Sequence, residues 1–362
     1  MVKCDFNSHH STAHYLLLTN MMKHLKLVVT LTLFLTLLPA ESIWVKYGNQ
    51  AFKGAGDART VALSESNTAV VSGPFAALWN PSNLANGGNN SLSYAHQERF
   101  AGIVNYDVAA VNLKRYLKLN WSLVLIRQGM EGIPNTTDAL LLGTGSLDNP
   151  NERIVESDIS YFNQVQWAAV VGGGFKRGEW DLGGNVRLLS HQLGAHSGYG
   201  IGFDLSGSRS FFPGNRTAFI IRDVTTSWVV WDSGTIERIA PIIIVSDAQD
   251  LKLEGIGIDL TLMASLNLDL AGESLNDDFS LGSIGAQLSG GVEIGYKQKV
   301  YLRAGRNPLT DFSLGVGLKF PFGGLDYAFS PSPVNSILGS SHHVALNIKL
   351  DYLHSLRDRL SS

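Results

Sequence analysis

The sequence predicts an all-β chain, a transmembrane antiparallel up-and-down β-barrel of about fourteen strands with a short helical N-terminal plug segment. Three observations predict it. Apolar and polar residues alternate with period two through much of residues 91–352. The alternating runs reach about nine to thirteen residues, longer than the ~5–6 usual in soluble sheets and close to the ~9–11 of a tilted membrane strand. A basic stretch and a short apolar run near the N terminus read as an export signal.

The export signal comes first in the chain. Lys23, His24 and Lys26 precede an apolar run from Leu27 to Leu38, followed by Pro39, Ala40, Glu41 and Ser42. The run is shorter than the ~20 residues a helix needs to cross a bilayer. Residues 1–42 are therefore expected to be removed, with cleavage after Ala40 or Ser42. Met21 and Met22 offer alternative starts. Cys4 is the sole cysteine and lies before the signal, so the mature chain would have no disulfide framework, no cysteine-rich metal site and no lipidated cysteine.

The alternation can be followed residue by residue. Leu117, Leu119, Trp121, Leu123 and Leu125 share one face, opposite Lys118, Asn120 and Ser122. Ile258, Leu260, Leu262, Leu266, Leu268 and Leu270 oppose Asp259, Thr261, Ser265, Asn267 and Asp269. Phe312, Leu314, Val316, Leu318 and Phe320 oppose Ser313, Gly315, Gly317 and Lys319; Val344, Leu346 and Ile348 oppose His343, Asn347 and Lys349. Successive strand side chains point to opposite faces, so each run has an apolar face for lipid and a polar face for a lumen. Trp121, Phe211, Phe212, Phe320, Phe322, Tyr327, Phe329 and Tyr352 lie near run ends, as interfacial girdles do. Turns are expected at Arg177-Gly178-Glu179, Pro213-Gly214-Asn215, Gly290-Gly291, Gly305-Arg306-Asn307-Pro308 and Phe322-Gly323-Gly324. Gly132–Ser160 reads as a long polar extracellular loop. The organisation expected is a plug over 43–88, a barrel over 89–352 whose last strand ends at the aromatic Tyr352, and a short tail over 353–362.

Composition agrees. Charged residues are 16% of the 362-residue chain, glycines number 38 and mean hydropathy is +0.06, too low for a bundle of membrane helices. A net charge of −3 excludes an electrostatic footprint for nucleic acid.

The segment before the barrel is rich in Ala, Gly and Ser. It predicts a short helix over 57–64 with Asp57 as N-cap, a second turn over 74–79, and a third opened by Pro81. Phe52, Gly54, Gly56, Asp57, Ala58 and Arg59, followed by Leu78, Trp79, Asn80, Pro81, Ser82, Asn83 and Leu84, resemble the opening motifs of the PorV/PorQ group of outer-membrane proteins, relatives of the long-chain fatty-acid transporter (FadL-like) barrels. Ser82-Asn83 stand where that group has Ala-Gly. Gly132-Ile133-Pro134, Gly183 to Leu189, Gly200 to Gly207, and Gly324 to Phe329 followed by Leu338-Gly339 and His342-His343 continue the resemblance in order. It implies a barrel in the outer membrane of a Gram-negative bacterium, with Phe52, Gly54, Gly56, Arg59, Trp79, Asn80 and Pro81 as the plug motif. It also implies partners: outer-membrane lipid, and components of type IX secretion or the exported cargo that PorV-type proteins escort or anchor. The FadL-like relatives imply instead a hydrophobic small-molecule ligand such as a long-chain fatty acid.

No enzyme signal is expected. His191 and His196 are five residues apart and His342 and His343 adjacent, so each pair diverges on a strand instead of forming a metal site. Gly54-Ala55-Gly56 lacks the strand and third glycine of a dinucleotide fingerprint. Asp259 and Asp269 share a face but lie too far apart along it to form a carboxylate pair. No catalytic residue, cofactor or metal is implied.

Overall fold

In the computed structural model, residues 44, 48, 50–87, 90–146, 148–272, 274, 277–308, 312–332 and 339–352 are described. The signal over 1–42, the tail over 353–362 and Leu338 of the C-terminal motif lie outside them.

Seventeen strands are described, all antiparallel to their neighbours: β1 (Ser91–Arg99), β2 (Val104–Tyr116), β3 (Leu119–Asn135), β4 (Ser160–Arg177), β5 (Trp180–Leu193), β6 (His196–Arg209), β7 (Asn215–Arg222), β8 (Ser227–Trp231), β9 (Ile236–Ile239), β10 (Ile242–Leu253), β11 (Ile258–Asp269), β12 (Phe279–Leu281), β13 (Ile284–Tyr296), β14 (Val300–Arg306), β15 (Ser313–Phe320), β16 (Gly323–Ser330) and β17 (Ser341–Lys349). β1 pairs with both β2 and β17, so the main sheet closes on itself. Three short strands stand outside the main ring. β8 and β9 continue β7 and β10 beyond interruptions, and β12 pairs with β13 beyond the end of β14. The remaining fourteen form the closed barrel.

The expected faces are observed. Leu125, Leu262, Leu314, Val316, Leu318, Val344 and Leu346 are exposed on the outer wall, and Ser122, Ser265, Ser313 and His343 are buried on the inner wall. His342 is exposed, so the two adjacent histidines do diverge. One end of the barrel holds the start of β1, the end of β17 and the short connections at 117–118, 178–179, 297–299 and 321–322. The other end carries the long connection 136–159. Short turns mark the periplasmic side of outer-membrane barrels.

Several expectations need correction. Gly290-Gly291 is not a turn but the middle of β13, and Gly305, Gly323 and Gly324 likewise belong to strands. Gly291 and Gly305 serve close packing against Leu63 and do not punctuate the chain. β3 runs to Asn135, past a bulge between Met130 and Ile133, so the long loop is four residues shorter at its start than Gly132 suggests. β17 ends at Lys349, so Tyr352 follows the last strand. Its ring lies 6.2 Å from that of Phe322, which stacks on Phe320, and this places all three at the short-turn rim.

The N-terminal helices form as expected. Asp57 caps α1 (Ala58–Ala62) by accepting from the Thr60 N–H at 2.8 Å. α2 (Ala76–Trp79) follows, and Pro81 opens a 3₁₀ turn over Pro81–Asn86. Further 3₁₀ turns cover Gln50–Phe52 and Ser66–Ala69. The whole segment lies against inward-facing wall residues, and strand glycines make room for it. A Cβ on Gly183 would collide with the Pro81 backbone, and one on Gly305 with the Leu63 backbone.

Candidate functional site

The lumen has two unlike walls, and residues 50–86 sit between them. The first wall is formed by β2 to β5. Its inner face turns apolar in its middle: Val108, Val124, Ile126, Val170 and Leu189 are buried there beside Ala51, Phe52, Phe75, Leu78, Trp79 and Leu84 of the segment. This cluster extends to Phe100, Met130 and Trp231 towards the long-loop end. A continuous apolar seam, packed between the segment and the wall, therefore runs along the inner face of the barrel. Burial of such side chains contributes roughly 1.5–3 kcal/mol each, so the seam also holds the segment in place.

Backbone polar groups of the segment are met by the same wall and the adjoining β1. Ser122 Oγ donates to the Pro74 carbonyl at 2.8 Å, Asn185 Nδ2 to the Ala77 carbonyl at 2.7 Å, and Gln97 Nε2 to the Gly56 carbonyl at 2.9 Å. The Ala51 N–H donates to Gln166 Oε1 at 3.0 Å. These contacts replace the water that a short, non-repetitive segment would otherwise need.

The opposite wall, β13 to β17, is ionic. Arg59 grips Glu293 with two nitrogens, Nε at 2.8 Å and Nη2 at 2.9 Å. Arg303 Nε reaches the same carboxylate at 2.6 Å, and its Nη1 donates to Asp326 at 2.6 Å. Glu293 is thus shared between a cation of the segment and a cation of the wall. A charge-assisted bidentate pair of this kind is geometrically demanding, and losing one member strands a buried charge. Below it, towards the short-turn end, a chamber of about 960 Å³ is lined by Arg59, Glu293, Tyr301, Arg303, Lys319 and Asp326 among others.

The wall is broken at one place between these two regions. Residues 205–209 of β6 pair with β7, but residues 198–201 pair with β8, and the chain between them, 223–226, leaves the ladder. On the neighbouring strand Ala240-Pro241 separates β9 from β10. A proline donates no hydrogen bond to a ladder, which suits such a break. Asp223 points inward and is buried with Arg187, Asp204 and Ser227. Arg187 Nη2 contacts both carboxylates, at 3.0 Å for Asp204, and Ser227 Oγ donates to Asp223. The Val224 N–H donates to the Phe203 carbonyl at 2.9 Å and closes the gap. The segment meets this break through its rings: Arg187 lies 4.9 Å from the Phe52 ring centre and Arg222 4.8 Å from that of Trp79.

All seven residues of the motif fall in this assembly. Phe52 and Trp79 meet the wall break. The Gly54 carbonyl accepts from Arg99 at 3.2 Å, and its φ of +74° beside that guanidinium suits glycine alone. Gly56 packs against the Trp79 indole nitrogen. Arg59 makes the ionic anchor. Asn80 is fully buried; its Nδ2 donates to the Thr68 carbonyl at 2.9 Å and Ser208 Oγ at 3.1 Å, and its Oδ1 accepts from Ser82 Oγ at 2.7 Å. Pro81 fills the space left by Gly174 and Gly183. These seven residues are therefore spread along the segment as separate wall contacts and do not converge on one ligand position.

Sequence reasoning passed over the wall partners Glu293, Arg303, Asp326, Arg187, Asp204, Asp223 and Arg222. A signal existed for two of them, a charge isolated on a face of small residues: Asp204 among Gly202, Ser206 and Ser208, and Asp326 among Gly324, Ala328 and Ser330. Outside the wall, the 136–159 loop is pinned by Glu152. Hydrogen bonds from the Leu142 N–H, the Thr144 hydroxyl and N–H, and the Arg153 N–H hold its carboxyl down at about 2. Among the described residues no group of three or more potential ligands could hold a metal ion.

The chain is an outer-membrane-type β-barrel of the kind found in Gram-negative bacteria. No protein-family model and no curated protein sequence matches it. Solved structures do. The toluene transporter TodX of Pseudomonas putida is 10% identical, with 81% of this chain and 96% of that chain covered at a TM-score of 0.51. A FadL homologue of Pseudomonas aeruginosa is 11% identical, with 81% and 98% covered at a TM-score of 0.47. The likeness to TodX is one of fold.

Proposed function

We propose that this chain is an outer-membrane channel for hydrophobic small molecules and that residues 43–88 plug its lumen. The observation that carries the reading is the continuous apolar seam from Phe100, Met130 and Trp231 down to Trp79 and Leu84. These side chains are buried between wall and segment, so displacement of the segment would bare an apolar path along the inner wall. The fold shared with a toluene transporter supports the same reading. The wall break at 223–226 lies beside the seam; the Val224 N–H and the Arg187–Asp204–Asp223 cluster close it, and its opening would let an apolar molecule leave sideways into lipid instead of passing the ionic chamber.

The test is uptake. A host lacking its own transporter, expressing this chain, should accumulate radiolabelled toluene or a long-chain fatty acid faster than cells with an empty vector. Equal rates, with the folded barrel present in the outer membrane, would refute the proposal. The order of the PorV/PorQ-like motifs, from Phe52 to His343, favours a second reading, in which the barrel escorts or anchors exported cargo of type IX secretion. That reading predicts the reverse result on deletion in a host with the system: lost secretion and unchanged uptake.

A further inference from the structure

The short-turn end carries a feature that transport through the apolar seam does not use. Lys252, Lys297, Lys299, Lys319 and Lys349 all line the chamber mouth. Lys319 and Lys349 alternate with the outer-face residues Leu318 and Ile348 and so face inward, Lys252 stands across the ladder from the lumen residue Asp259, and Lys297 and Lys299 belong to the turn between β13 and β14. Lys319 Nζ donates to Tyr301 Oη at 3.2 Å inside the chamber. None of the five makes an ion pair among the described residues. The deeper carboxylates Glu293 and Asp326 are already matched to Arg59 and Arg303. At the mouth, Asp250 and Asp259 face five lysines. This local excess of cations occurs in a chain whose net charge is −3.

We propose that the chamber mouth is a docking site for an acidic polypeptide segment of a periplasmic protein, whose Asp and Glu side chains enter among these lysines. The inward direction of Lys252, Lys319 and Lys349 decides against lipid phosphate as the occupant. Headgroups meet the outer wall, and at this end the outer wall presents Phe320, Phe322 and Tyr352. The chamber, at about 960 Å³, is open to the periplasmic side and lies at the upper end of the ~300–1,000 Å³ of ordinary ligand pockets, enough for part of an extended chain. Several lysines on different strands and a turn also suit carboxylates spaced along a chain better than a single compact anion. Long-range attraction between such partners speeds encounter and weakens with salt.

The experiment uses the full-length barrel in detergent and a fluorescent peptide of alternating Asp, Glu and Ser, with a Lys-for-acid version as control. Fluorescence anisotropy should show salt-sensitive binding of the acidic peptide alone, weakened about tenfold or more in a K297Q/K299Q/K349Q triple variant. The far-ultraviolet circular dichroism of that variant should remain that of the wild type. A second variant, K118Q, changes a lysine on the same rim outside the chamber and should leave affinity unchanged. Equal binding of both peptides, or equal affinity of wild type and triple variant, would overturn the proposal. So would preferential binding of phosphatidylglycerol vesicles that the acidic peptide fails to displace.

Discussion

The β2–β5 wall and the β13–β17 wall hold the same N-terminal segment by opposite means. On the first, Gly172, Gly174 and Gly183 let the backbone of 77–85 press against the strands, and neutral donors such as Ser122 and Asn185 take up its carbonyls. On the second, glycines still admit Leu63, but the fixing contact is ionic: Arg59 on Glu293, shared with Arg303. Close packing fails only by large displacement, whereas an ion pair beside a water-accessible chamber can be exchanged for another. The segment is therefore best described as seated on one side and latched on the other.

Substitutions can break this contrast. Glu293→Gln should have the largest effect, because it leaves the buried Arg303 and the part-buried Arg59 without the full charge of their shared carboxylate. A loss of about 3 kcal/mol is expected, read as a lowered thermal transition of the purified barrel, with Glu293→Asp restoring part of it. Gly183→Val attacks the seated side. Its methyls have no room beside Pro81, and about 2 kcal/mol of overpacking should follow. If the seated side were loose, this variant would be as stable as the parent. Asn80→Ala removes the bonds to Thr68, Ser82 and Ser208 and should cost about 1–2 kcal/mol by the same measurement.

The smallest effect belongs to neither wall. Glu152 has its carboxyl lowered to about 2 from an ordinary value of 4.5. A depressed carboxylate contributes order that is complete above its unfolded value and lost as pH falls through the folded one. Protease resistance of the 136–159 loop should accordingly persist from neutral pH to about pH 4.5 and decline from there towards pH 2, and Glu152→Gln should be cut more readily at neutral pH.

Much of the barrel was legible because the physics is local. In β11, β15 and β17 each residue faces either lipid or lumen, and period two records that directly. Asp57 and Pro81 likewise announced their helices through capping chemistry. The rest was hidden for identifiable reasons. Gly290-Gly291 looks the same whether it turns a chain or, as here, lies within a strand whose Gly291 admits Leu63 and Ser66. Arg59, Glu293, Arg303 and Asp326 are scattered over more than 260 positions and meet only when the barrel closes. The break at 223–226 has no composition of its own; its sign is Asp223 pairing with Arg187 across the sheet.

Ion conductance in a planar bilayer tests the plugged-lumen account most directly. The full-length barrel should be silent, and a chain lacking residues 50–86 should show large, steady, porin-like steps. Steps of that size from the full-length barrel itself would contradict the account, since they would mean that the segment leaves an open aqueous path through the lumen.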